Sequence, residues 1–197
     1  MGVDKVILRA VLSTLAAVAL LIVFLFVALV GFYPSTMMEI TYKLGMDSQS
    51  IRFAERAYKR SGDVYYIAYA TEVAIGIDSY GKIDACGEKF IADEEFIEYC
   101  QAENGAYEQY IYGQVCVAKY EEEKADEAVT RAFELIGQNA FPKHNAVVAV
   151  LVTALSENDT QTVEKIKGKM MEKQGTVTEA DRPYFDEILA LCNGVNG

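Results

Sequence analysis

Residues 10–32 read AVLSTLAAVALLIVFLFVALVGF, and Ser13 and Thr14 are the only polar side chains among them. At a rise of about 1.5 Å per residue, a helix of this length reaches about 34 Å, enough to cross a hydrocarbon core of about 30 Å. Backbone amides in lipid need internal partners, so a single spanning segment must be helical. We therefore predict a membrane-spanning helix over residues 10–33, with Ala10, Leu20 and Phe32 at its start, middle and end.

The residues flanking this segment distinguish an anchor from a cleaved signal peptide. Residues 1–9 carry Lys5 and Arg9, which suit either kind of segment. A signal peptide has an apolar region of about 7–15 residues followed by a small-x-small cleavage site. The run here is longer, and its exit, VALVGFYP at 27–34, offers no such site. These features favour an uncleaved signal anchor in a single-pass membrane protein.

Charge predicts the orientation of the anchor. Lys5 and Arg9 precede the apolar segment, whereas Lys43 and then Arg52 are the first basic residues after it. The positive-inside bias therefore places the N-terminus in the cytoplasm. Residues 34–197 carry 16 Lys and Arg against 28 Asp and Glu, a net charge of −12 that anionic cytoplasmic lipid would repel. Both arguments place residues 34–197 on the extracytoplasmic side, with the opposite orientation as the alternative.

The composition of residues 34–197 indicates one helical domain. Its 164 residues suffice for a hydrophobic core, and Pro34, Pro142 and Pro183 are its only prolines. So few turn-forming prolines favour long helices, and we predict an all-α fold over 34–192 followed by a loose tail at 193–197. Its acidity argues against nucleic acid as a partner, because phosphates require Lys and Arg for neutralisation.

The cysteines and the single histidine show no metal-binding spacing. None of the four cysteines stands in a C-x-x-C pair, and His144 is the only histidine. In an oxidising compartment four cysteines allow three disulfide connectivities. We favour instead the reading that they are small, buried, apolar side chains. The four are Cys86, Cys100, Cys116 and Cys192.

Capping signals and periodicity predict the individual helices. Thr36-x-x-Glu39 is typical of a capping box before a short helix that ends at Leu44-Gly45. Asp47 or Ser48 is predicted to cap the next helix, which stops at Ser61-Gly62. The segment VYYIAYATEVAIGI at 64–77 has Glu72 as its only charge, so we expect a helix buried on several sides at the centre of the domain.

Two later segments are informative. Residues 125–136 place apolar side chains on one face and Asp126, Glu127, Arg131 and Glu134 on the other, which predicts an amphipathic helix with Arg131 exposed. Residues 145–156 are uncharged, and their four valines could form a strand. The helical context favours a buried helix.

Residues 109–137 resemble a tetratricopeptide repeat, a helical hairpin that stacks into a solenoid. Gly113 occupies the small position of the first helix, and Ala125 and Ala132 occupy the two alanine positions of the second. The usual tryptophan, tyrosine and proline are replaced by Gln109, Cys116 and Gly137, and weaker echoes around residues 54, 85 and 162 are irregularly spaced. The resemblance implies stacked antiparallel helix pairs over about residues 36–175.

In that family the first helix of each pair lines a groove for peptides or partner helices. By this resemblance Tyr107, Tyr110 and Gln114 are the candidate partner-binding residues. The alternative is that these tyrosines are half-buried packing residues, because tyrosine is common both at interfaces and in cores.

No motif for nucleophilic, phosphate-binding or metal catalysis occurs, and we expect neither an enzyme nor a cofactor. Two functions remain. The first is a membrane-anchored adaptor that docks a protein or peptide, as an accessory subunit of a membrane complex. The second is a domain that binds lipid or a small molecule in a pocket between the helices at 65–77 and 146–155. A closed cavity between those helices would favour the second function, and a filled core with an open groove the first.

Overall fold

The computed structural model describes residues 3–103, 106–136 and 145–194, with side chains from residue 7 onward. These residues form eleven α-helices and no strand, so the all-α prediction is confirmed. The chain divides into two compact units, Met1–Asp63 and Val64–Gly197.

The first unit contains α1 (Val3–Phe32), α2 (Pro34–Lys43) and α3 (Asp47–Ser61). The second contains α4 (Val64–Gly76), α5 (Tyr80–Ile91), α6 (Phe96–Glu103), α7 (Tyr107–Glu121), α8 (Ala125–Leu135), α9 (Ala146–Ser156), α10 (Thr160–Lys173) and α11 (Arg182–Asn193). A short 3₁₀ turn, Gln174–Thr176, follows α10.

Helix α1 contains the apolar segment. Its stretch Ile7–Phe32 contains an 18-residue window with a mean hydropathy of 3.1, none of which is buried, so the stretch is long and apolar enough to cross a membrane. Helix α2 follows almost without interruption, because the amide of Tyr33 donates to the Leu29 carbonyl (2.9 Å) and that of Met37 to the Tyr33 carbonyl (3.1 Å).

The capping-box prediction for α2 was wrong. Thr36 and Glu39 lie inside the helix, which begins at Pro34 with Tyr33 as its N-cap and no side-chain cap. Proline suits a first turn, because its fixed φ is helical and the amide it lacks would have no partner there. The predicted end at Leu44-Gly45 is confirmed.

Four helical hairpins share the same turn. The pairs α2–α3, α4–α5, α7–α8 and α9–α10 each pack together. In each turn one residue has a positive φ, and the next amide donates to the carbonyl five residues earlier (2.8–3.1 Å), which is a Schellman ending. The left-handed residues are Gly45, Asp78, Glu123 and Asn158, separated by 33, 45 and 35 residues. The long middle interval contains the additional helix α6.

Helix α7 packs against four other helices of the second unit, namely α5, α6, α8 and α9. Two glycines permit these close contacts. A Cβ on Gly87 of α5 would lie 2.2 Å from Cγ2 of Val115, and one on Gly113 would lie 3.2 Å from Cβ of Ala149 in α9. The segment that we placed at the centre, α4, packs chiefly against α5, and Tyr65 on its outer side is 48% exposed. Its apolar appearance came from tyrosine, which tolerates water through its hydroxyl.

The turns of the three hairpins in the second unit lie side by side. The Tyr120 hydroxyl, at the end of α7, is 3.1 Å from Oε2 of Glu157 and 3.0 Å from Oδ2 of Asp159 in the α9–α10 turn. On the other side, the Glu122 carboxylate lies over Gly81 in the first turn of α5. The hairpins therefore follow one another with their turns on one edge.

The valine-rich segment at 145–156 is the helix α9, so the strand alternative is excluded. Its cap is Asn145, whose side chain accepts from the Val148 amide at 3.0 Å. Asp159 caps α10 in the same way through the Thr162 amide at 3.1 Å. Pro142 and His144 lie outside the described residues, as does the end of the predicted loose tail.

All four cysteines are buried, and none of them is joined in a disulfide. Burial raises the pKa of the Cys100 and Cys116 thiols to about 12 and that of Cys192 to about 11. They act as small apolar core residues in this structure, as favoured from the sequence.

Candidate functional site

A cluster of tyrosines spans three helices of the second unit. We call it the tyrosine face, and it comprises Tyr65, Tyr69 and Glu72 of α4, Tyr99 of α6, and Tyr107 and Tyr110 of α7. Ring centroids are 6.3 Å apart for three pairs: Tyr65 with Tyr69, Tyr99 with Tyr107, and Tyr107 with Tyr110. At this separation aromatic rings contact each other directly.

Helical periodicity places these side chains on the same side of their helices. Tyr65, Tyr69 and Glu72 stand at positions i, i+4 and i+7 of α4, which share one face. Tyr107, Tyr110 and Gln114 stand at i, i+3 and i+7 of α7 in the same manner. The inner positions of both helices are apolar and buried, for example Ile67 and Ile111 at 0% exposure. Core packing therefore fixes which side chains point outward.

A hydrogen bond joins α4 to α7 within the face. The Tyr107 hydroxyl donates to Oε1 of Glu72 at 2.5 Å. Burial raises the pKa of Tyr107, and the Glu72 hydrogen bond and charge raise it further, since a phenolate beside a carboxylate is disfavoured. Burial, followed by the charge of Glu72, raises the pKa of Tyr99 to about 12. The raised pKa values of Tyr99 and Tyr107 mean that both hydroxyls keep their protons at neutral pH.

Buried rings support the face from behind. The Phe90 ring packs edge-on against Phe96 (4.8 Å) and against Tyr99 (5.4 Å). Phe96 in turn lies 5.5 Å from the ring of Tyr112. Phe90 and Phe96 are 0% and 1% exposed, so the inner side of Tyr99 packs against the hydrophobic core. A surface held in this way loses little conformational entropy when a partner binds.

The three sequence-predicted site residues differ in their surroundings. Tyr110 is 47% exposed, whereas Tyr107 is half-buried and hydrogen-bonded, so it combines packing with surface contact. Gln114 is half-buried one turn further along α7. Sequence reasoning missed Tyr65, Tyr69 and Tyr99. The lone charge Glu72, at i+7 from Tyr65, was the available signal that α4 has an outward face.

A second polar cluster lies between α5, α7 and α8. Arg131 donates to both oxygens of Glu88, from Nη2 at 2.7 Å and from Nε at 3.1 Å, and Lys119 pairs with Asp84 and Glu88. Burial opposes the charge on Lys119, but hydrogen bonds to Asp84 and Glu88 outweigh it and raise its pKa. Arg131 is thus not the exposed residue we predicted, because α5 carries a carboxylate opposite it.

This ion-pair cluster borders an open depression of about 520 Å³. Lys119 and Arg131 already form ion pairs with carboxylates of a neighbouring helix, as in an ion-pair network that stabilises a fold. Among the described residues, no three His, Cys, Asp or Glu side chains come together as a metal site would require. The tyrosine face is therefore the stronger candidate for binding.

Comparison with known proteins gives no match to a family model, to a curated protein or to a solved structure.

Proposed function

We propose that this protein is a membrane-anchored helical-repeat adaptor that docks a protein or peptide partner on its tyrosine face. The observation that carries the proposal is the exposed pair Tyr65 and Tyr110, at 48% and 47%, which flanks a face rigidly backed by Phe90 and Phe96. Tyrosine is enriched at binding hot spots, where a large flat ring gives contact area at low entropic cost.

The anchor is α1. Its length and apolarity support an uncleaved span, and Phe32 and Tyr33, 66% and 58% exposed at its end, suit an aromatic anchor at the membrane interface. We place the N-terminus in the cytoplasm and residues 34–197 on the extracytoplasmic side, on the charge argument from Lys5 and Arg9.

The shared hairpin turns support a tetratricopeptide-like repeat as the architecture. The three hairpins of the second unit follow one another with their turns on one edge, and α6 accounts for the longer interval between the first two of them. Stacking of this kind lets each hairpin bury a face that it cannot cover alone. The small residue Gly113 stands at the close contact of α7 with α9.

The alternative, a lipid or small-molecule pocket between α4 and α9, has less support. The apolar side chains of α9 are packed against α7, α8 and α10, with Val147, Val150 and Leu151 at 0% exposure. Those of α4 are packed chiefly against α5. Both helices thus use their apolar residues to fill a core.

Site-specific photocrosslinking in native membranes tests the docking face. A photoreactive amino acid replaces Tyr110, and in a matched variant it replaces Thr130, an exposed residue on α8 outside the tyrosine face. We expect a discrete adduct of constant size from position 110 and none from position 130. Equal labelling at both positions, or no adduct at 110 in cells that make the protein at its natural level, would refute the assignment.

Protease treatment of intact cells or spheroplasts tests the anchor and its orientation. We expect trimming to a short membrane-bound N-terminal fragment. Digestion only after lysis would place the folded units in the cytoplasm. A soluble chain that starts near residue 30 would indicate cleavage.

A further inference from the structure

Helix α3 carries a row of basic side chains that neither the anchor nor the tyrosine face explains. Arg52, Arg56, Lys59 and Arg60 are all exposed, and their spacing of i, i+4, i+7 and i+8 places them on one side of the helix. The opposite side, with Ile51, Ala54 and Ala57, is buried. A basic amphipathic helix of this kind is typical of membrane surfaces.

The fold of the first unit brings the end of α3 to the end of the apolar span. Nη1 of Arg60 donates to the carbonyl of Phe32, the last residue of α1, at 2.8 Å. At about 1.5 Å per residue, Arg56 and Lys59 lie within about 6 Å of Arg60 along the helix axis, and Arg52 lies about 12 Å away. Three cations are therefore close to the level at which the hydrocarbon region would end.

Charge in this chain is unevenly divided. Residues 34–63 carry five Lys and Arg against four Asp and Glu, a net charge of +1, whereas residues 64–197 carry 11 against 24, a net charge of −13. The acids of the α2–α3 hairpin are Glu39, Asp47, Glu55 and Asp63, of which only Glu55 lies within α3 beyond its first residue. The segment next to the span is thus the part of the folded chain suited to an anionic surface.

We propose that Arg56, Lys59 and Arg60 bind the phosphate groups of anionic lipids at the surface of the bilayer that α1 crosses. This inference depends on one part of the proposed function, namely that α1 crosses the membrane. Guanidinium and ammonium groups both bind phosphate by charge-assisted hydrogen bonds, and the lipid phosphates lie just beyond the hydrocarbon core. The lipid contact holds the α2–α3 hairpin against the membrane.

Lys59 and Arg60 also stand in the last turn of α3, where cations stabilise the helix dipole without any lipid. A test must therefore measure lipid selectivity, because a change in stability alone could come from the helix dipole. The full chain is reconstituted in vesicles that contain equal amounts of phosphatidylcholine and phosphatidylglycerol. The vesicles are washed with alkaline carbonate, and the protein is then extracted in mild detergent. The ratio of the two lipids that co-purify with it is then measured.

We expect enrichment of phosphatidylglycerol in the wild-type protein at low salt, with an upper limit of about five-fold for each basic side chain near the surface. Extraction at 0.5 M salt should reduce the ratio toward one, because the Debye length falls to a few ångströms. The variant Arg56→Gln/Lys59→Gln should lose most of the enrichment. The matched variant Lys43→Gln/Arg52→Gln removes the same charge from the hairpin, farther from Arg60, and should keep it.

Four results would overturn the proposal. A wild-type ratio of one shows no lipid selectivity, and equal loss in the two variants shows a general charge effect. Loss of enrichment on adding inorganic phosphate at constant ionic strength shows a site for any phosphate. Release of the chain by the carbonate wash overturns the anchor as well, whereas a wash-resistant chain with a ratio of one overturns only the lipid contact. Circular dichroism of each variant checks that it is folded.

Discussion

Three helical glycines provide a graded test of the packing in the second unit. Gly87, Gly113 and Gly168 lie inside α5, α7 and α10, so changing any of them to alanine gains helix propensity of about 1 kcal/mol. They differ in what the new methyl group meets. At Gly168 nothing lies within 4 Å, at Gly113 the Ala149 Cβ is at 3.2 Å, and at Gly87 the Val115 Cγ2 is at 2.2 Å.

The cost at Gly87 follows from its neighbour. Carbon atoms in contact are normally about 3.5–4.0 Å apart, so the methyl group and Val115 must separate by more than about 1 Å. Val115 is 0% exposed and β-branched, so its side chain has little freedom to rotate away. Overpacking of this kind costs about 1–3 kcal/mol. Gly87→Ala should therefore be neutral or destabilising by up to about 2 kcal/mol.

We expect Gly168→Ala to be stabilising by about 1 kcal/mol and Gly113→Ala to lie between the two, because a shift of a few tenths of an ångström suffices there. The measurement is urea unfolding of the full chain in detergent, followed by circular dichroism at 222 nm. Equal m-values would show that the same transition is compared. If Gly87→Ala were as stable as Gly168→Ala, the packing of α5 against α7 described above would be incorrect.

Two further predictions concern the second unit. Ala132 is 1% exposed, so Ala132→Lys should bury an unpaired charge and unfold the second unit. Thr130 is exposed on the same helix, near Asp126 and Glu134, so Thr130→Lys should be tolerated. Thermal melting curves of the two variants measure the difference. The folded-state pKa of Tyr99 is about 12 against an ordinary 10, so its contribution to stability is complete below pH 10 and is lost as the pH rises toward 12. The urea midpoint of the wild-type protein should fall between pH 10 and 12, and it should fall less steeply in Tyr99→Phe. An equal fall of the midpoint in that variant would contradict the raised pKa of Tyr99.

Local patterns in the sequence were sufficient for the secondary structure. Helix α9 was predicted despite its four valines because the segments that flank it were predicted to be helical. Errors arose where two local signals competed. At α2 the proline signal at Pro34 outweighed the capping box, and at α4 tyrosines were counted as core residues although Tyr65 is exposed.

The sequence identified only the residues of the candidate site that lie on α7. Tyr107 and Tyr110 were selected, with Gln114, because the resemblance to a tetratricopeptide repeat implies that they line the groove side of its first helix. Their neighbours Tyr65, Tyr69 and Glu72 come from a helix about 35 residues earlier, and no spacing rule connects them. Arg131 was misplaced for the same reason, because Glu88, its partner on α5, is 43 residues away.

The sequence by itself determined that this chain has one long apolar helix and is otherwise helical, because hydrophobicity and helical periodicity act over a few turns. Only the tertiary structure decided which surfaces these helices form. It inserts α6 between otherwise regular hairpins, joins tyrosines of three helices and returns Arg60 to the end of α1. The net charge of −12 after the anchor, treated as one quantity in the sequence, divides into a slightly basic hairpin and a strongly acidic unit. Each of these depends on contacts between residues far apart in the chain, which core packing selects and local periodicity does not encode.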